Sequence, residues 1–307
     1  MKTEYAIIVK NKTRLEMLVE HFNTKSQAQF YIERQGGNFD DYLEEDAVFH
    51  DSLQSLQTQL SQVIKHKIVE RSFLPSYIFD EKNVIVVIGQ DGLVANTAKY
   101  ARGIPIVAVN PDPKRYDGVL LPFHVSNFIE GVEGVMGQSY KRHTVNFAEA
   151  RLNDGQRILA FNDLFIGASS HISARYKISF GNREEEHSSS GIIVSTPTGS
   201  TGWLSSVFNM AYGVTGLFEK DLRLKYPQLD NNQLLFAVRE PFRSVRTQAE
   251  VSVGRIDNNH TLRIESLMPS GGVIFSDGIE KDFLCFNSGS IATIGVAKEV
   301  ANLVNIS

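Results

Sequence analysis

The chain has 307 residues, of which 42% are hydrophobic, and its 31 basic and 35 acidic residues leave a formal net charge of −4. This length and composition suffice for two ordinary domains with apolar cores, and the lack of a basic excess argues against a nucleic acid partner. No stretch reaches the ~18 consecutive apolar residues of a membrane span, and no targeting signal is visible, so we expect a cytoplasmic protein without a membrane partner. The single cysteine, Cys285, cannot form an internal disulfide, and we expect it to be buried.

The amino-terminal part of the chain alternates between strand and helix patterns. A short apolar run at residues 5–9 predicts a buried parallel strand. Between Ser52 and Val69, apolar residues recur every three or four positions, which predicts one amphipathic helix over this range.

A second strand, turn and helix pattern follows. The apolar run 84–88 leads into Gly89-Gln-Asp-Gly92, then a helix pattern over 94–102 and a third apolar run at 106–109. This order predicts a βαβ unit with both strands ending at one sheet edge, where open α/β sheets bind ligands.

Further along the chain the pattern becomes that of a β-rich domain. Short alternating segments at 157–161, 171–180 and 191–195 predict strands, and turn signals at 153–155 and 257–259 predict hairpins between neighbouring strands. The interval 212–232 is typical of a helical or loop excursion.

The predicted fold class is α/β plus β. We expect a Rossmann-like α/β domain over residues 1–125, which carries the glycine loop, and a β-rich, β-sandwich-like domain over 126–288. The segment 289–307 is expected to return to the α/β domain.

The Gly89 to Gly92 loop has the composition of a phosphate site. Glycines let the backbone approach an anion, and exposed N–H groups at a helix start favour phosphate. A carboxylate at Asp91 is suited to accept the proton of an attacking hydroxyl. The alternative is a plain strand-to-helix turn in which Asp91 is the N-cap.

A run of hydroxyl residues from Ser188 to Thr201 follows a predicted strand. Its side chains can donate hydrogen bonds to phosphate or ribose oxygens, and Gly199 lets the chain pass close to a ligand. A helix-capping turn that uses Ser200 or Thr201 explains only part of this run.

Four motifs resemble those of the ATP-NAD kinases. Ser195-Thr-Pro-Thr-Gly-Ser-Thr201 resembles the family signature, and Gly89-Gln-Asp-Gly92 resembles the Gly-Gly-Asp-Gly-Thr loop. Asn162-Asp163 is similar to the Asn-Glu pair, and Ser276-Asp-Gly278 is similar to the late Asp-Gly turn. The mitochondrial-type branch is the most similar, and the segments that resemble it are 110–115, 189–191, Trp203 and 238–241.

The resemblance implies a kinase that uses ATP and Mg²⁺ to phosphorylate the 2′-hydroxyl of the adenosine ribose of NAD, giving NADP. It also implies a homo-oligomer, a dimer or tetramer. Asp91 would be the catalytic base, Gly89 and Gly92 would line the phosphate or ATP site, and no metal ligand is assigned. The residues implied to bind NAD are Asn162, Asp163, Thr196, Thr198, Ser200, Thr201 and Asp277.

The glycine loop departs from the family pattern at two positions. Gln90 replaces a glycine and Leu93 replaces a threonine, which predicts a reshaped phosphate cradle. Two alternatives therefore stay open: a kinase for a different hydroxyl acceptor, and a catalytically weakened NAD(P)-binding protein. The sequence does not choose between NAD and NADH, or between ATP and polyphosphate as donor.

Overall fold

The computed structural model describes residues 3–218 and 228–306. These residues form two compact units. The amino-terminal unit contains residues 3–144 and 301–306, and the β-rich unit contains the described residues from 145 to 300. The predicted boundaries after residues 125 and 288 remain predictions, although the helix Phe128–Met136 lies in the amino-terminal unit.

The amino-terminal unit is an α/β unit. Its elements are β1 (Tyr5–Lys10), α1 (Arg14–Phe22), α2 (Lys25–Arg34), α3 (Asp40–Val63), β2 (Lys65–Glu70), β3 (Asn83–Ile88), α4 (Asp91–Tyr100), β4 (Pro105–Asn110), β5 (Phe123–His124) and α5 (Phe128–Met136).

The strands of this unit form a parallel sheet. The order is β2-β1-β3-β4, with β5 beside the end of β4. All six residues of β3 are buried, as the apolar run predicts. The βαβ prediction is confirmed, because β3 and β4 pair in parallel on either side of α4. The ends of β1, β2 and β3 lie level, since Lys10 pairs with both Glu70 and Ile88.

The single helix predicted over 52–69 is wrong at both ends. The helix α3 begins at Asp40 and ends at Val63, and the next residue, Ile64, has extended backbone angles. The chain then continues as β2, an edge strand with mostly exposed side chains. Its apolar residues continue the helical spacing by coincidence, so periodicity alone misses the break.

The remaining elements belong to the β-rich unit, except that residues 141–144 of the first and 301–305 of the last lie in the amino-terminal unit. These elements are β6 (Lys141–Leu152), β7 (Arg157–Ala160), β8 (Asp163–Ala168), β9 (Ala174–Phe180), β10 (Arg183–Ser189), β11 (Ile192–Ser195), α6 (Trp203–Thr215), β12 (Leu234–Val238), β13 (Val253–Ile256), β14 (Leu262–Ser266), β15 (Gly272–Ser276), β16 (Phe283–Cys285) and β17 (Ile291–Asn305).

Two antiparallel layers enclose the core of this unit. One has the order β10-β9-β14-β17 and the other the order β13-β12-β11-β8-β15-β16. Buried residues of both layers, such as Ile178 and Ile264 on one and Ile166, Val194 and Phe236 on the other, form one apolar cluster. The predicted α/β plus β-sandwich-like fold class is therefore confirmed.

Two turn predictions have different outcomes. The turn at 153–155 joins the antiparallel pair β6 and β7, with Gly155 at φ +91°, so this hairpin is confirmed. A turn also forms at Asp257, but β13 pairs with β12 whereas β14 pairs with β9 and β17. The second turn therefore connects two layers instead of closing a hairpin.

Three further findings concern single regions. Cys285 is exposed, so the expectation of a buried thiol is wrong. Part of the 212–232 interval is helical up to Thr215, and its residues 219–227 lie outside the described residues. No helix in the described ranges is long and apolar enough to cross a membrane.

Candidate active site

The glycine loop joins β3 to α4 in the amino-terminal unit. Gly89 has φ +156°, and a Cβ there would lie 3.0 Å from Cδ2 of Leu93. Gln90 is the N-cap of α4 with φ −101° and ψ 166°, which any residue can adopt. The replacement of glycine by Gln90 therefore costs no backbone strain.

Asp91 is the first helical residue, not the N-cap. Its Oδ2 accepts a hydrogen bond from the N–H of Val119 at 3.1 Å, and its Oδ1 accepts one from the N–H of Leu120 at 2.9 Å. A carboxylate has about four acceptor positions, so each oxygen can accept one more hydrogen bond. Asp91 thus holds the 118–121 loop and retains the capacity to accept a proton.

A hydrogen-bond network fixes the side chain of Gln90. Gln90 bonds to the hydroxyl of Tyr116, which donates to Oε1 of Glu45 on α3 at 3.2 Å. Burial raises the pKa of Tyr116, so the hydroxyl stays protonated. Glu45 is itself buried and ion-paired with Arg14. Sequence reasoning missed this network, because its members are far apart in the chain.

A cavity of about 290 Å³ lies beside the glycine loop. Gly89, Gly92 and Leu93 line it, and Leu93 is almost fully buried, so the position of the family threonine presents an apolar wall. The cationic residues that line the cavity are Lys12, Arg14 and Arg71. Glycine backbone beside cationic side chains favours the binding of a phosphate group.

The Asn162-Asp163 turn lies at the start of β8 in the β-rich unit. The carboxylate of Asp277 accepts hydrogen bonds from three consecutive backbone N–H groups, those of Phe161 at 3.1 Å, Asn162 at 2.7 Å and Asp163 at 3.3 Å. Asp277 itself has φ +54° in the turn after β15. Asp277 therefore fixes the backbone of the Asn162-Asp163 turn, and its place at a nucleotide site stays a prediction.

Thr196 holds the opposite side of the same turn. Its N–H donates to the carbonyl of Asn162 at 2.9 Å, and its hydroxyl donates to the carbonyl of Phe161 at 2.7 Å. The hydroxyl also accepts the N–H of Gly199 at 3.1 Å. A Cβ on Gly199 would lie only 2.1 Å from the carbonyl oxygen of Asn162, so this approach requires glycine.

The remaining predicted nucleotide residues divide by whether their side chains are engaged. Ser200 donates to the carbonyl of Pro197 at 2.6 Å. In the described part of the chain the side chains of Asn162, Thr198 and Thr201 make no hydrogen bond, and none of the three is fully buried. These three are free to bind a ligand.

Asp163 is a buried carboxyl group without a hydrogen-bond partner among the described residues. It is 8% exposed. Burial, and then the neighbouring charge of Asp277, raise the pKa of Asp163 to about 6. A ligand that donates a hydrogen bond to the carboxyl group of Asp163 would supply the hydrogen bond that this group lacks.

A larger cavity, of about 1020 Å³, lies within the β-rich unit. Phe165 stacks on Trp203 with ring centroids 5.6 Å apart, and Phe275 packs against Phe165 at 4.9 Å. The guanidinium of Arg239 lies 5.4 Å from the centre of the Trp203 ring. Sequence reasoning noted Trp203 only as a family marker, because strand alternation does not show which aromatic side chains meet.

The described residues contain no group of three or more His, Cys, Asp or Glu side chains that could hold a metal ion. Within the amino-terminal unit, Gly89 and Gly92 line the cavity beside the glycine loop, whereas Asp91 is not among the described residues that line it. Within the β-rich unit, the predicted NAD residues gather around the Asn162-Asp163 turn. The first group suits phosphate and proton transfer, and the second suits a ligand rich in hydroxyl groups.

Solved structures of NAD kinases have the same fold. Yeast NADH kinase complexed with NADH aligns with a TM-score of 0.64 and 13% identity, over 100% of this chain and 85% of that one. An NAD kinase from Archaeoglobus fulgidus in complex with ATP aligns with a TM-score of 0.55 and 14% identity, over 97% and 92%. The chain therefore has the fold of NAD kinases.

Partial sequence matches agree with this fold. The NAD kinase of Heliobacterium modesticaldum is 34% identical over 129 residues, 39% of this chain and 44% of that relative. The NAD kinase of Finegoldia magna is 28% identical over 164 residues, 50% of this chain and 58% of that relative. No family model matches the chain. The sequence matches span about half the length of these two relatives.

Proposed function

We propose that the protein is an ATP-dependent NAD kinase that phosphorylates the 2′-hydroxyl of the adenosine ribose of NAD. The observation that carries the proposal is the Asn162-Asp163 turn. Asp277 and Thr196 fix its backbone from both sides, while the amide of Asn162 and the carboxyl of Asp163 have no hydrogen-bond partner among the described residues. A turn held in this way is prepared for a ligand with several hydroxyl groups.

The β-rich unit is proposed to hold the dinucleotide. Asn162 and Asp163 offer an amide and a carboxyl group, and Thr198 and Thr201 offer hydroxyls that bond to none of the described residues. Thr196, Ser200 and Asp277 are proposed to act through the backbone that they hold, since their polar atoms already bind protein groups.

The amino-terminal unit is proposed to supply the phosphate site and the base. Gly89 and Gly92 bring backbone to the donor phosphates, and Asp91 accepts the proton of the ribose hydroxyl. Mg²⁺ would neutralise phosphate charge, and it is expected to arrive bound to the donor, because Mg²⁺ is commonly held by substrate phosphates and water.

The decisive experiment compares the wild type with Asp91→Asn. The wild type is expected to form NADP from NAD, ATP and Mg²⁺. The variant is expected to lose ~10² to 10⁴-fold in kcat, the usual contribution of a positioned base, while it still binds NAD in calorimetry. NADP is measured with an NADP-specific dehydrogenase, and NADH is assayed in parallel.

Asp51→Asn is the matched control, because it makes the same change on the exposed face of α3. Equal turnover in wild type and Asp91→Asn would remove Asp91 from the mechanism. Saturable NAD binding with no NADP from the wild type would reject the kinase proposal.

One observation favours a second candidate, a weakened NAD(P)-binding protein. The position of the family threonine holds the buried, apolar Leu93, so one hydroxyl is missing at the phosphate cavity. For this candidate, dinucleotides bind without ATP consumption, and the double change Gln90→Gly and Leu93→Thr restores turnover.

Three finer properties are proposed with the activity. Cytoplasmic location is proposed because the single cysteine, Cys285, fits a reducing compartment, and fractionation of the source cells tests it. Assembly into a homodimer or homotetramer follows from the family resemblance, and the mass in solution tests it. Placement in the mitochondrial-type branch is supported by the segments 110–115 and 238–241, and a comparison of branches over these segments tests it.

A further inference from the structure

The cavity beside the glycine loop has three cationic residues in its wall, and they differ in how they are paired. Lys12 lies 2.8 Å from Oε2 of Glu20 and 3.9 Å from Oε1 of Glu70. Arg14 forms an ion pair with the buried Glu45, which also receives the Tyr116 hydroxyl. Both charges are therefore already compensated by protein carboxylates.

Arg71 is the exception. It follows directly after β2, at the sheet edge where the ends of β1 and β3 lie level with it. Its side chain makes no ion pair or hydrogen bond with the described residues, and the residue is only partly exposed. A guanidinium on a partly exposed residue, without a carboxylate partner in the described part of the chain, favours a bound anion because it carries five N–H donors and a permanent charge.

The acidic residues near the cavity do not compensate Arg71. Glu45 is taken by Arg14, and the carboxylate of Asp112 accepts the N–H of Lys114 at 3.2 Å and lies 3.4 Å from Nε of Arg115. Among the described residues, Arg71 is therefore the cation of this cavity wall that no carboxylate pairs with.

We propose that Arg71 binds the phosphate chain of the phosphoryl donor. The inference rests on the proposed kinase function and assigns a residue that the glycine loop motif does not contain. Leu93 removes a hydroxyl from the cavity wall, and the guanidinium supplies charged donors in the same cavity. The volume of about 290 Å³ suits a chain of phosphates better than a whole nucleotide, since pockets for drug-sized ligands span roughly 300 to 1,000 Å³.

The test uses Arg71→Met, which removes the charge but keeps an unbranched side chain, and Arg71→Lys, which keeps the charge without the fork. Arg263→Met is the matched control, because Arg263 is exposed on β14 and has no ion pair with the described residues. Three quantities are measured: KM for ATP and KM for NAD in the coupled assay, and the Kd of inorganic tripolyphosphate in calorimetry. Melting temperatures show whether each variant is folded.

For Arg71→Met we expect KM for ATP and Kd for tripolyphosphate to rise about 10- to 100-fold, the loss of one or two charge-assisted hydrogen bonds. KM for NAD should stay within about twofold, Arg71→Lys should lie between wild type and Arg71→Met, and Arg263→Met should match the wild type.

The two proposals fail in different ways. Unchanged KM for ATP and unchanged tripolyphosphate binding in a folded Arg71→Met variant would overturn the role of Arg71 and leave the kinase intact. Tripolyphosphate binding that depends on Arg71, without NADP formation, would reject the kinase and retain the phosphate site. A wild type that binds neither ATP nor tripolyphosphate would overturn both.

Discussion

Asp163 and Asp277 are both aspartates of the same site, but they differ in whether the protein satisfies their carboxyl groups. Asp277 accepts three backbone N–H groups, so its charge is well compensated. Asp163 is more deeply buried than Asp277 and accepts none among the described residues, and burial and the charge of Asp277 raise its pKa to about 6. One carboxyl group stabilises the turn, and the other is a cost that a ligand can offset.

Asp163→Asn is therefore expected to stabilise the protein near pH 8. The folded-state pKa of about 6 lies above the ordinary value of 3.8, so the folded chain binds this proton more tightly than the unfolded chain. The stability that it contributes is fully present below about pH 4 and is lost as pH rises through about 6. The asparagine has no charge to bury, so its advantage at pH 8 is at most about 3 kcal/mol, from about two pKa units, and should vanish near pH 4.

Urea unfolding of both proteins at several pH values measures this difference, and calorimetry measures the expected loss of NAD affinity in the same variant. Asp230→Asn is the control, since Asp230 is exposed in the same unit. A stability difference that is independent of pH would contradict a charged, buried Asp163.

At the scale of elements, the site depends on how closely a turn can approach a strand. The turn at 198–201 passes so near the start of β8 that Gly199 touches the carbonyl of Asn162. Gly199→Ala must push these backbones apart, which should cost about 1 to 3 kcal/mol and weaken NAD binding at least tenfold, because Asn162 moves with its carbonyl.

Gly213→Ala is the matched control in the neighbouring helix α6. A Cβ at Gly213 meets nothing within 4 Å, so alanine is expected to stabilise the helix by about 0.5 to 1 kcal/mol without affecting NAD. Thermal melting and NAD titration of both variants measure these effects. Equal behaviour of the two variants would mean that the approach at Gly199 is not required.

The sequence predicted those elements whose signals are local. The β3, glycine loop, α4 and β4 series was predictable because apolar runs and glycines mark each boundary. The end of α3 was not, because the exposed edge strand β2 has no alternating pattern of its own. The Gln90 network and the contacts of Asp91 were also beyond sequence reasoning, since both depend on residues more than 25 positions away.

At the scale of the whole molecule, fold and function have different sources in the sequence. The chain shares the NAD kinase fold with proteins of 13% and 14% identity, because cores accept many apolar residues of suitable size. The kinase proposal depends instead on a few motif residues. The proposed placement in the mitochondrial-type branch and the proposed homo-oligomer both rest on the resemblance to the family. The pattern of buried residues specifies neither.

Self-association is the prediction that belongs to the whole molecule. In the segment after β12, Phe242 is 64% exposed and Val245 is fully exposed, and Ile172 at the aromatic cavity is 62% exposed. Exposed apolar side chains such as these favour contact with another surface, and a second copy of the chain is the proposed one. Val245→Asp should shift the mass in solution, measured by light scattering, toward that of one chain.

Ile78→Asp is the control. It changes another apolar residue, 79% exposed in the amino-terminal unit, and should leave the mass unchanged. A wild type with the mass of one chain at all concentrations would reject the homo-oligomer, and loss of assembly in Ile78→Asp alone would move the interface to the amino-terminal unit.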